Sequence, residues 1–262
     1  DDTLVGGNGA DTLEGDGGTD TIDYTTSLSA VALSLTTGLG TGGEATGDVF
    51  VLVENIVGST FGDTLEGDTG TNLIEGGTGD DILQGRGGND TLDGGIGDDT
   101  ADYSASASAV SVNLDSGATS GGDAAGNVLI SIEDVTGSSG NDTLEGSTGN
   151  NNLDGGNGDD NFISSAGADT ITGGIGTDQI DYTGSNAGVT VVLDGSASSG
   201  GHAAGDVLTG IDVLIGSDFA DNLTGVSGNQ ELQGGEGNDT LNGANGGSEE
   251  HTSELQSLTN LV

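Results

Sequence analysis

The chain has 262 residues, of which 55 are Gly, and its 44 Asp and Glu face a single Arg, for a formal charge of −43. It contains no Cys, Pro, Met or Trp, which excludes a disulfide scaffold, a thiolate metal site and a collagen-like helix. One Arg cannot build a surface for nucleic acid or an anionic membrane, and no apolar run approaches the ~18 residues of a membrane span.

Taken alone, this composition is that of a disordered acidic polymer, so order along the chain has to decide. Residues 1–23 read as the end of a tract of nonapeptides, GGxGxDxUx, in which U is a large apolar residue; Asp2, Asp11 and Asp20 take its sixth position and Leu13 and Ile22 its eighth. The absence of Met, with a start inside a repeat, is read as a fragment cut from a longer protein. Residues 24–57 change character. Val31, Leu33 and Leu35 alternate, Gly42 and Gly43 follow, and a second apolar run covers Val49 to Ile56, a period-2 pattern that predicts strands. Five nonapeptides then start at Gly58, Gly67, Gly76, Gly85 and Gly94, placing Asp63, Asn72, Asp81, Asp90 and Asp99 at position 6. Their U residues are Leu65, Ile74, Leu83, Leu92 and Ala101.

The same plan recurs in 103–181, where Asp142, Asn151, Asp160, Asp169 and Asp178 hold position 6, and in 182–247, with Asp221, Gln230 and Asp239. A shift of 79 residues superposes Tyr24, Tyr103 and Tyr182, and likewise Asp63, Asp142 and Asp221, without insertion. The expected organisation is a preceding tract (1–23), repeat unit 1 (24–102), unit 2 (103–181) and a truncated unit 3 (182–247). Residues 248–257, SEEHTSELQS, resemble a translated sequencing adapter, and 248–262 are set aside as an expected artefact.

Each nonapeptide reads as a three-residue strand, x-U-x, followed by a six-residue turn. Nine residues make half a coil and eighteen a whole one, so the expected fold is an all-β parallel solenoid with 18 residues per coil in these tracts. Glycines at positions 1 and 4 allow positive φ and let carbonyl oxygens converge. Position-6 Asp residues one coil apart would lie about 4.8 Å from each other. At an effective dielectric of 20 they repel by about 3.5 kcal/mol. A cation between the turns reverses that sign. Ligands made only of carboxylate and carbonyl oxygen favour Ca²⁺ over zinc, copper or Mg²⁺. The 34-residue segments are expected to continue the solenoid as ion-poor coils, a separate lobe being the alternative. Tyr24, Tyr103 and Tyr182 are read as core covers, with sugar stacking as the other option. His202 is read as an exposed loop residue and Arg86 as decoration.

On these motifs the chain resembles the RTX, hemolysin-type, calcium-binding nonapeptide repeats. The resemblance implies a right-handed parallel β-roll, or β-helix, with Ca²⁺ ions between turns eighteen residues apart. It implies as metal residues Asp2, Asp11, Asp20, Asp63, Asp81, Asp90, Asp99, Asp142, Asp160, Asp169, Asp178, Asp221 and Asp239. The all-Asp pairs are 2/20, 63/81, 81/99, 142/160, 160/178 and 221/239, while Asn72 and Asn151 mark weaker or empty sites.

With neither Cys nor Lys, and carboxylates that recur as ladders, catalysis is not expected. The expected role is a calcium-binding structural array, spacer-like or adhesin-like, within a large extracellular or cell-surface bacterial protein that folds on Ca²⁺ after export. Type I secretion machinery is the partner the resemblance implies; no nucleic acid and no membrane insertion are expected, and a cell-surface or polysaccharide ligand is left open. The alternative is a secretion and folding module attached to a secreted protease, lipase or polysaccharide epimerase.

Overall fold

In the computed structural model, the described residues are 1–226, 228 and 230–243, together with the backbone of 249–251. Strands of mostly three residues stack in parallel, partners being eighteen residues apart within the nonapeptide tracts: Thr64 pairs with Ile82 and Ile82 with Thr100, while Leu73 pairs with Thr91. Alternate nonapeptides feed opposite faces of a flattened parallel β-roll. The middle residue of each strand points inward. Leu65, Leu83, Ala101, Ile74 and Leu92 are fully buried in a single apolar core, as are Leu144, Phe162, Ile180 and Leu223 in later units. Two rows of turns flank this core, so the stacking of the U residues sets the spacing of the position-6 side chains.

The 34-residue segments do two things at once. Val49–Val51 stacks on Thr12–Glu14 and Asn55–Val57 on Thr21–Asp23, in register across offsets of 37 and 34 residues. Ala32–Ser34 and Leu39–Thr41 instead form an antiparallel hairpin, whose first strand carries Thr64–Glu66 in parallel beside it. The segment thus continues both stacks and inserts a hairpin into one of them. The alternation of Val31, Leu33 and Leu35 marks the strand but not its reversal.

Asn55–Val57 lies in a 6-stranded sheet, while its unit-2 counterpart Asp134–Thr136 joins the 11-stranded sheet opposite. Correspondingly, the hairpin of Ser111–Asn113 and Ala118–Ser120 heads a different sheet from that of Ala32–Ser34. Five nonapeptides are an odd number of half-coils, so successive units present equivalent residues on opposite faces. Of the tail set aside in the sequence, only the backbone of Glu249–His251 is described, and it pairs in parallel with Glu231–Gln233. The rest of 248–262 lies outside the described residues.

Tyr24, Tyr103 and Tyr182 are at most 2% exposed, which leaves no aromatic row to stack on sugars. The Tyr24 ring meets Phe50 edge-on at 6.3 Å, and its hydroxyl donates to Asp48 Oδ2 at 2.6 Å. Tyr182 donates likewise to Asp206 at 2.8 Å.

Candidate metal centres in the turns

Because strands one coil apart are in register, the residue before each strand is stacked as well. That residue is position 6. The Asp63 backbone N–H donates to Asp81 Oδ1 (2.7 Å) and that of Asp81 to Asp99 Oδ1 (2.8 Å). Unit 2 repeats the ladder from Asp142 to Asp160 (2.8 Å) and from Asp160 to Asp178 (2.9 Å). Asp2 to Asp20 (2.6 Å) and Asp221 to Asp239 (3.0 Å) make the same bond. On the opposite row, Asn72 donates to Asp90 (2.9 Å) and Asn151 to Asp169 (3.0 Å). Asp11 has no partner eighteen residues on; its N–H donates to Asp48 Oδ1 (2.8 Å).

Only Oδ1 is used in this way. The Oδ2 atoms of Asp11, Asp20, Asp81, Asp90, Asp99, Asp160 and Asp178 are buried without a hydrogen-bond partner. An ionised oxygen in that state carries its full desolvation cost unless a cation reaches it. Burial pushes the Asp81 carboxyl up to about 7, the N–H of Asp63 pulls it back in part, and the Asp63 and Asp99 charges push it further up. Burial likewise lifts Asp90, Asp99 and Asp160 to about 6, against the pull of a backbone N–H in each case. It also raises Asp169 and Asp178.

The space beside these oxygens exists because position 1 is glycine. A Cβ on Gly76 would collide with Asp81 Oδ2 and lie 2.7 Å from the Gly94 carbonyl oxygen of the next coil. On Gly58 it would lie 2.5 Å from both Asp63 Oδ2 and Gly76 O. Gly155 faces Asp160 Oδ2 and Gly173 O in the same way. Carboxylate and carbonyl oxygens from two coils thus converge on a gap with no side chain in it, a hard-oxygen cradle that fits Ca²⁺. Among the described residues no three His, Cys, Asp or Glu side chains gather as a metal cluster. Backbone carbonyls must therefore supply many of the ligands.

Not every position-6 residue has an orphan oxygen. Asp63 Oδ1 accepts from Val31 N (2.7 Å) and Ser59 Oγ (2.9 Å), and its Oδ2 accepts from Ser59 N. Asp142 is held the same way by Ser138 and Val110, and Asp221 by Ser217 and Val189. The sequence reading placed these three on a par with the rest. Each of the three has Ser at position 2, a place that Ser147 and Ser165 also take, where they bond Asn151 and Asp169. Asn72 and Asn151 seal their own turns by donating Nδ2–H to the carbonyls of Glu54 (2.7 Å) and Glu133 (2.6 Å), an amide reaching an oxygen that a cation would otherwise need.

His202 is half-buried, its Nδ1 lying 3.3 Å from the Ser164 carbonyl oxygen, so it is not the exposed loop residue expected. Arg86, at φ +63°, forms an ion pair with Glu66.

Residues 1–25, 54–78, 66–101, 136–167, 154–186, 207–241 and 224–247 match the family described as RTX calcium-binding nonapeptide repeat (four copies). These stretches cover more than half of the chain. No curated protein matches it.

Proposed function

The chain belongs to the RTX calcium-binding nonapeptide repeat family, and we propose that it is a non-catalytic structural array, spacer-like or adhesin-like, which stays extended during export and folds when it meets extracellular Ca²⁺. One observation carries this reading. Carboxylate oxygens are buried without partners in register, coil after coil, beside glycines whose missing Cβ leaves room for an ion. The thirteen position-6 Asp residues, from Asp2 to Asp239, are the proposed metal residues. Within them, those with an orphan Oδ2 are the principal ligands, and Asp63, Asp142 and Asp221 contribute least.

The family supplies the ion, and the chain supplies the coupling. Without a cation, a formal charge of −43 and stacked buried carboxylates oppose compaction. With one, each ion joins two coils and binds only the folded form, so its binding free energy becomes folding free energy. At about tenfold excess over a dissociation constant of order 10⁻⁴ M, each site adds about 1.4 kcal/mol. Six sites would add about 8 kcal/mol, comparable to the whole stability of a domain.

The test is a calcium titration of the full chain followed by far-UV circular dichroism. The reading predicts a folding midpoint on the order of 10⁻⁴ to 10⁻³ M, the range of extracellular modules. A midpoint on the order of 10⁻⁷ M would fold the chain at the levels cytosolic sensors read, and would contradict folding after export.

A further inference from the structure

The 34-residue segments contain no nonapeptide, yet where each rejoins the stack it reproduces the ladder. The N–H of Asp20 donates to Glu54 Oε2 (2.8 Å), that of Asp99 to Glu133 Oε2 (3.0 Å) and that of Asp178 to Asp212 Oδ2 (3.1 Å). Glu54, Glu133 and Asp212 are related by the 79-residue repeat and each precedes the strand that continues the stack. Each therefore takes the place that a position-6 Asp takes elsewhere.

Two further observations coincide at the same three places. The Oδ2 atoms of Asp20, Asp99 and Asp178 are without partners, and all three side chains are fully buried. Two residues before each segment acid, the backbone adopts positive φ: Leu52 at 54°, Ser131 at 49° and Gly210 at 68°. For Leu and Ser this conformation is strained. It brings the Leu52, Ser131 and Gly210 carbonyl oxygens against Gly15, Gly94 and Gly173, where a Cβ would collide with them. On the other side, that Cβ would lie 2.7, 2.5 and 2.7 Å from Asp20, Asp99 and Asp178 Oδ2 respectively. In the nonapeptide tracts the carbonyl in this place belongs to the position-1 glycine of the next coil.

We propose that each junction is a further divalent-cation site, formed by Asp20, Glu54 and the Leu52 carbonyl, by Asp99, Glu133 and the Ser131 carbonyl, and by Asp178, Asp212 and the Gly210 carbonyl. The proposal rests on the reading that the nonapeptide turns bind Ca²⁺, and it extends the ion row into segments that the sequence marked as ion-poor. The strained carbonyl then has a purpose: it replaces a glycine carbonyl where the repeat has lapsed.

The experiment counts bound Ca²⁺ per full chain by equilibrium dialysis at saturating CaCl₂, for the parent and for Glu54→Gln, Glu133→Gln and Asp212→Asn, singly and combined. These amides keep an oxygen to accept the Asp N–H, so the ladder bond survives while the charge is lost. The expected result is one ion fewer in each single variant and three fewer in the triple, with a β circular dichroism spectrum retained in calcium. An unchanged ion count in folded variants overturns the junction sites. If the triple variant does not fold, the three single counts decide. A parent that binds no Ca²⁺ at all would fail the underlying reading instead, and is told apart by that.

Discussion

Asp63 and Asp81 occupy the same position of the same repeat, one coil apart, and the fold treats them differently. Ser59 and Val31 saturate both oxygens of Asp63, whereas Oδ2 of Asp81 has no partner and burial raises its carboxyl to about 7. Asp142 and Asp160 repeat the contrast in unit 2. The position-6 carboxylate of the first turn in each tract is thus the one the protein itself holds most fully, the second turn in units 1 and 2 is sealed by Asn72 or Asn151, and the orphan oxygens lie in later turns, on Asp81, Asp90, Asp99, Asp160 and Asp178. A tract can then begin on a hydrogen-bonded cap and be extended by metal.

The largest effect that would sharpen this contrast is at Asp81, which belongs to two eighteen-residue pairs, while Asp221 belongs to one and is clamped by Ser217. Asp81→Asn should remove about 3 kcal/mol of calcium-linked stability, roughly two sites' worth, and Asp221→Asn at most about half of that. Denaturant melts at fixed calcium would show it, and equal losses would break the distinction.

Acidification comes next. Without calcium, the folded carboxyls of Asp81 (about 7) and of Asp90, Asp99 and Asp160 (about 6) titrate above the ordinary 3.8. Between about pH 4 and 7 the unfolded chain therefore binds fewer protons than the folded one, and calcium-free stability falls as pH rises through that window. Calcium-depleted protein should accordingly show more β signal near pH 4.5 than near pH 7.5. The opposite trend would mean that these oxygens are not buried uncompensated.

The smallest effect belongs to the cap. Ser138→Ala removes the Oγ bond to Asp142 Oδ1, and should cost about 1–2 kcal/mol, the same at every calcium concentration that folds the chain. A loss that grows with calcium concentration would make this turn an ion site like the others.

The stacked core was legible in the sequence because every U residue sits at one phase of a nine-residue period, and a three-residue strand has only one inward position. The position-6 row followed from the same phase. The hairpin of Ala32–Ser34 and Leu39–Thr41 was not legible, because alternation reports which side chains point inward and not which way the chain runs. Glu54, Glu133 and Asp212 were missed for a related reason: they act as position-6 acids in a stretch that has lost the glycine pattern. Their signal was an acid kept in the 79-residue alignment, three residues before Val57 and Thr136 and their unit-3 counterpart Ile215. Ser59, Ser138 and Ser217 were visible at position 2, a place that varies among Gly, Ser and other residues, but their bonds to Asp depend on turn geometry that spacing does not give.

The central claim is that the buried carboxylates need a cation before the roll can form. Far-UV circular dichroism of the full chain at neutral pH, first in excess EGTA and then in about 5 mM CaCl₂, well above the extracellular-module range of dissociation constants, tests it most directly. The account predicts a coil spectrum in EGTA that converts cooperatively to a β spectrum in calcium. A β spectrum already present in EGTA and unchanged by calcium would contradict it.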